Sequence, residues 1–239
     1  MSDNKNSKFN VIRFALILSI VCGLLITAAA SGLKDRQDEN MRLDKKKNLL
    51  KAAGLMNGAS LSKSQVKELF ETRIREVIVN SKGHIVDTDG PDSMHLYFYL
   101  TEDGQVNGYI LPVNTRGLWG KIMGYMAFEK DGQTVSGFSV YSHAETPGLG
   151  GEIESQWFRK SFVGKKILNS QDKFVSVGIA KGKAENLPQD LREHYVDGIS
   201  GATLTGKYLS EGIKETLMKY EGVSINFRQN QGTLPKDKG

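Results

Sequence analysis

The pattern of apolar and polar positions divides the chain into stretches with different periods. The stretch Met1 to Asn10 is largely polar, the sequence becomes apolar from Val11 onward, and no charge falls between Phe14 and Leu33. About 20 residues of helix at roughly 1.5 Å each span a hydrocarbon core, so residues 14–33 are expected to form one transmembrane helix after a short N-terminus, residues 1–13. A cleavable signal peptide is the alternative, because Ala28-Ala29-Ala30 precedes Ser31 and the most apolar part, Phe14 to Thr27, is short. The unbroken continuation to Leu33 favours retention. Asp35 to Ala53 then reads as a helix ending near Gly54. Ser62-Lys-Ser-Gln65 is a capping-box pattern, and Val66, Leu69, Phe70, Ile74, Val77 and Ile78 follow at helical spacing, so a second amphipathic helix is expected through that whole stretch.

From about residue 94 the period changes to that of strands. Met94 to Leu100 and Val106 to Val113 flank the turn Glu102-Asp-Gly104, and Lys121 to Phe128 and Gln133 to Tyr141 flank Lys130-Asp-Gly132. Such short links imply antiparallel pairing. Helical spacing returns around Trp157 to Phe162, Phe174 to Ile179 is another strand candidate, and the spacing of Leu204, Tyr208, Leu209, Ile213 and Leu217 predicts a closing helix. The expected fold class is α+β: a mainly antiparallel twisted sheet flanked by helices, preceded by one N-terminal transmembrane helix. Residues 34–230 are expected as one domain and residues 231–239 as a polar tail. No Pro-, Gly- or Ser-rich linker divides that domain.

Composition narrows the function. The 239 residues carry a formal charge of +5, of which Lys5, Lys8 and Arg13, set against Asp3, supply two. No basic run is interleaved with aromatics, so nucleic acid is not an expected partner. The single cysteine, Cys22, lies in the apolar segment and permits no internal disulfide. The four histidines lack metal-ligand spacing, and no metal site is expected.

Candidate chemistry gathers in Asp197-Gly-Ile-Ser-Gly-Ala-Thr-Leu-Thr-Gly206. Its glycines permit positive φ and close approach of a ligand. A helix beginning near Thr203 or Thr205 would aim unpaired N–H groups and its positive dipole end at an anion such as phosphate. Ser200, Gly201, Ala202, Thr203 and Thr205 would surround that anion, and Lys207, one turn beyond Thr203, could neutralise it or be solvated. The same composition also suits an ordinary capped helix start. Gly201 to Lys207 matches G-x-x-x-x-G-K, but Tyr208 stands where a P-loop needs a magnesium-binding hydroxyl, and Tyr195-Val196 is too short for its strand.

Asp197 to Thr203 resembles the Asp-Gly-x-Ser/Thr-Gly-Ala-Thr acceptor sequence on which bacterial flavin transferases place FMN, by a phosphoester bond to the last threonine. Over nearly its whole length the chain resembles the C subunit of the bacterial sodium-translocating NADH:quinone oxidoreductase. The hydrophobic N-terminal segment, Arg116-Gly-Leu-Trp-Gly120, Glu145-Thr-Pro-Gly-Leu-Gly-Gly-Glu152 and the acceptor motif stand in that family's order. The resemblance implies a membrane-anchored electron-transfer subunit that carries FMN covalently on Thr203, relays single electrons and binds no substrate of its own. It implies other membrane subunits as partners, a flavin transferase during maturation, residues 1–13 in the cytoplasm, and the large domain outside the inner membrane. The cluster Lys34, Arg36, Arg42 and Lys45 to Lys47 opposes that orientation by the positive-inside rule, although a long domain can translocate regardless of charge.

The resemblance also makes two loops candidate neighbours of the flavin ring. One offers Glu145, Thr146, Gly148 and Leu149, and the other Leu118 and Trp119; the alternatives are a plain strand-to-helix connection and a core aromatic. The flavin subunit of the related ferredoxin-linked complex is one rival reading. A cofactor-free tethered binding module, with Thr203 a mere helix cap, is the other.

Overall fold

A computed structural model of the chain describes residues 3–56, 61–230 and 232–236, with side chains from residue 8 onward. It comprises two compact units, Met1–Leu43 and Asp44–Gly239. Helix α1, Asp3–Ala52, supplies the first unit and the opening turns of the second. Over Lys8–Ala52 it is long and apolar enough to cross a membrane, and none of its most apolar 18-residue window is buried by protein. The helix stops where the sequence provides a stop. Gly54 takes φ of +71°, the Leu55 N–H donates to Leu50 O at 2.9 Å, and the Gly54 N–H donates to Lys51 O at 3.1 Å. That is the Schellman arrangement, which satisfies the last carbonyls of a helix and favours glycine at the left-handed position.

Helix α2, Lys63–Arg73, begins on the expected capping box. It is shorter than its periodicity predicts. Ile74 to Val79 forms strand β1 instead, paired antiparallel with β3, Met94–Leu100, from Ile74 opposite Tyr99 to Val79 opposite Met94. Spacing of 74, 77 and 78 fits a helix, but the β-branched residues Ile74, Val77, Ile78 and Val79 pack better in a pleated sheet with a partner strand to cover them. The full sheet also contains β2, Ile85–Val86; β4, Val106–Arg116; β5, Lys121–Glu129; and β6, Val135–Ser142, in the order β2-β1-β3-β4-β5-β6 with every pair antiparallel.

Both sheet faces are covered. On one, Phe98, Tyr109, Leu111, Met126, Phe128 and Phe138 meet α3, Gln156–Ser161, and the C-terminal helices α4, Thr203–Lys219, and α5, Glu221–Gln229. Tyr109 centres this core, stacked on Phe128 at 5.0 Å and tilted against Phe227 at 4.5 Å. On the other face the Ser139 hydroxyl donates to Asn48 O at 2.7 Å, and Gly137 leaves room for the Ala52 backbone. Leu49, Leu50 and Ala52 are buried there.

Two further results differ from expectation. The Phe174–Ile179 candidate contributes only the two-residue strand β7, Gly178–Ile179, because Ser176 takes φ of +69° and breaks the extended run. It pairs parallel with β8, Tyr195–Val196. Part of the expected polar tail returns to the domain, where Pro235 O accepts from the Ile85 N–H at 2.8 Å; residues 231 and 237–239 lie outside the description.

Helix α4 is wedged between β4 and β7. Thr115 packs against Gly212, where any side chain would collide with it, and a Cβ at Gly206 would come within 3.2 Å of Ile179. The Thr115 hydroxyl donates to Tyr208 O at 3.3 Å, and the Ser210 hydroxyl accepts from the Ile179 N–H at 2.9 Å. Both flanks of the helix are thereby fixed to strands.

Candidate functional site

The segment from Asp197 to Thr203 is a built turn. Asp197 Oδ1 accepts from the Ala184 N–H at 2.7 Å, and the Gly198 N–H donates to Gly182 O at 2.7 Å. Gly201 turns the chain with φ of +73°, and the Ala202 N–H donates to Ile199 O at 3.1 Å. Helix α4 starts at Thr203, and its first backbone bond runs from the Gly206 N–H to Ala202 O at 3.0 Å. The residue in the cap position is Ala202, and no side chain caps the helix. The opening N–H groups of a helix have no partner within it, so this end presents donors and a positive dipole end outward. Thr203 is exposed there, as is Ser200.

Thr205, which shares the motif and could have been the cap, is turned inward. It is 1% exposed, and its hydroxyl donates to Glu145 Oε2 at 2.6 Å. Glu145, itself 4% exposed, accepts at its other oxygen from the backbone N–H groups of Leu118 at 2.8 Å and Trp119 at 3.1 Å. Three distant segments, the 117–120 turn, the loop after β6 and the first turn of α4, therefore meet on one carboxylate.

The segments that meet at Glu145 and at the start of α4 leave several apolar side chains exposed. Leu118 is 39% exposed, Trp119 69%, Leu149 43% and Leu204 48%. Leu149 lies against Gly201, where a Cβ would come within 2.7 Å of its Cδ2. The Thr146 carbonyl accepts from the N–H groups of Leu149 at 3.1 Å and Gly151 at 2.9 Å, which shapes the turn carrying Gly148, while the Thr146 side chain is exposed.

Lys207 pairs with Glu211 at 3.9 Å and is largely exposed. With Thr203, Ser210 and Lys214 it borders one side of a groove of about 340 Å³, whose other side is Val175 to Lys181. Lys181 and Lys214 carry no signal in the sequence, since each is one lysine among many until the fold sets them across from each other. On the opposite flank of α4 a groove of about 770 Å³ runs past Arg116, Trp119 and Tyr208, with the Arg116 guanidinium 5.2 Å above the Tyr208 ring. His143 supports the Glu145 loop: its Nδ1 accepts from the Glu145 N–H at 3.1 Å and its Nε2 lies 3.4 Å from Glu154. Among the described residues no group of three or more His, Cys, Asp or Glu side chains could hold a metal ion.

Residues 117–218, which contain Glu145, Thr203, Thr205 and the segments that meet on them, match the FMN-binding domain family. The chain is 33% identical over 237 residues to the Na(+)-translocating NADH-quinone reductase C subunit of Haemophilus ducreyi, an alignment covering 88% of this chain and 90% of that one. The chain belongs to the family of Na(+)-translocating NADH-quinone reductase C subunits. The Pseudomonas aeruginosa member is 34% identical, covering 85% of this chain and 89% of its own. Among solved structures, the member from Parabacteroides distasonis superposes with a TM-score of 0.69 at 29% identity, covering 80% of this chain and 96% of that one. Shewanella oneidensis NqrC, at 21% identity and a TM-score of 0.64, shares the fold.

The site fits the group that the family name of residues 117–218 implies. An uncapped helix start suits a phosphate, and the exposed leucines and tryptophan suit one face of a flat ring.

Proposed function

We propose that this chain is the membrane-anchored electron-transfer subunit of a sodium-pumping NADH:quinone oxidoreductase, with FMN attached through its phosphate to Thr203. The observation that carries the reading is the exposed Thr203 at the start of α4, which no side chain caps. When bound, FMN supplies one-electron chemistry that protein side chains lack. The chain's own residues position it. Thr203 supplies the oxygen of the phosphoester, and the first N–H groups of α4 and Lys207 offset the phosphate charge. Gly201 and Ala202 keep the turn free of bulk, while Ser200 and Asp197 shape it for the transferase. Leu118, Trp119 and Leu149 offer the ring an apolar shelf, with Thr146 and Gly148 at its edge and Glu145 and Thr205 beneath. NADH and quinone react on partner subunits.

The test is mass and denaturation. The purified protein is expected to exceed its sequence mass by one FMN less water and to keep its flavin through urea and acid precipitation. Thr203→Val preserves branching and shape while deleting the hydroxyl, and its covalent flavin is expected to be absent. Covalent FMN on Thr203→Val, or a flavin released from the wild type by denaturation, overturns the reading.

The same proposal places residues 1–13 in the cytoplasm, residues 14–33 across the inner membrane, and residues 34–230 with the tail outside. A reporter active only outside the cytoplasm, fused after Gly239, is expected to be active. Activity of a cytoplasm-only reporter at that position reverses the topology.

A further inference from the structure

Glu145 sits where a carboxylate could be taken for a flavin contact, yet its oxygens are already engaged. Oε1 accepts from the Leu118 and Trp119 N–H groups and Oε2 from the Thr205 hydroxyl, with 4% of the residue exposed. The packing around it leaves no slack. A Cβ at Gly150 would lie 2.7 Å from Oε2 and 2.6 Å from Thr205 Oγ1, and one at Gly117 would collide with Oε1. The two oxygens of a carboxylate offer about four acceptor sites, so the three donors nearly fill this one. The segments it joins are far apart in sequence, 27 residues from Leu118 to Glu145 and 60 from Glu145 to Thr205.

We propose that Glu145 is a positioning residue whose carboxylate clamps the Leu118–Trp119 turn to the first turn of α4, so that ring shelf and acceptor hydroxyl form one preset site. Its purpose rests on the proposed FMN reading; the clamp itself does not. Thr205 fixes Oε2, Oε2 fixes the orientation of Oε1, and Oε1 holds the two amides. Leu149 against Gly201 ties the same loop to the acceptor turn a second time. Glu145 acts through these donors and touches no reacting atom.

The clamp makes two groups on different segments respond to each other. Amide hydrogen exchange on the full-length Thr203→Ala chain, which has no acceptor hydroxyl, reads this directly. Adding Thr205→Val is expected to speed exchange at Leu118 and Trp119 about tenfold or more, whereas Thr205→Ser restores the parent rate. Ile110 and Ala127, paired inside the sheet, are expected to change only with global stability. Glu145→Gln keeps an oxygen for the two amides and is expected to fall between. In chains with Thr203 intact, visible circular dichroism of the bound flavin is expected to change in Thr205→Val and return in Thr205→Ser. Unchanged exchange at Leu118 and Trp119, or the same acceleration at all four amides, overturns the clamp. If the wild type proves to carry no FMN, the functional reading falls while the exchange result still decides the clamp.

Discussion

Helix α2 opens on Ser62, whose hydroxyl accepts from the Gln65 N–H at 3.3 Å while Gln65 Oε1 accepts from the Ser62 N–H at 2.9 Å. Helix α4 opens on Ala202 with nothing comparable. The contrast extends to the backbone: Ser62 is extended at φ −66° and ψ 163°, the geometry that lets a side chain reach back to its own helix, whereas Ala202 is at φ −125° and ψ 35°. The α4 start is rich in hydroxyls, but Thr205 is committed to Glu145 and Ser200 and Thr203 lie exposed. One helix closes its end with its own residues; the other keeps its end available.

Three substitutions sharpen that contrast beyond the loss of flavin expected for Thr203→Val. Gly201→Ala forces a Cβ onto a left-handed residue, at a cost of about 1–2 kcal/mol, and drives it against Leu149. The expected outcome is a lowered thermal midpoint together with altered flavin absorbance, and an unchanged spectrum would separate Leu149 from the ring. Ser62→Ala removes half of the capping box, which is expected to cost about 1 kcal/mol in denaturant unfolding with covalent FMN at the wild-type level. Ala202→Ser supplies a capping hydroxyl on a backbone that cannot use it, so the flavin-free chain is expected to gain less than about 0.5 kcal/mol, short of the usual value of a cap. A full gain there would mean that α4 is an ordinary helix start awaiting an ordinary cap.

The sequence announced some of this and concealed the rest for physical reasons. Lys130-Asp-Gly132 and Glu102-Asp-Gly104 are turn chemistry, local by nature, and the two hairpins they predict are present. The Ser62 capping box was equally legible, and of the two starts expected for α4, Thr203 or Thr205, the helix takes Thr203. Ile74 to Val79 misled because 74, 77 and 78 stand at helical spacing, and only the pairing partner, some 20 residues on, decides for a strand. The two-residue strands β7 and β8 are too short to impose a period of their own. At the site, Glu145 could be singled out from its motif, but its bond to Thr205 could not, since 60 residues separate them and no local pattern records such a contact.

Gly206 and Gly212 let the backbone of α4 press directly on the short, β-branched side chains of Ile179 and Thr115. An electron carrier must gain and lose charge without its surroundings having far to move, because each rearrangement of dipoles adds to the barrier for transfer. A helix seated on strands through bare backbone has few ways to rearrange. On the proposed reading these two glycines bear on speed as well as shape: by stiffening the mount of the acceptor turn, they are expected to keep the reorganisation energy of a flavin fastened there small.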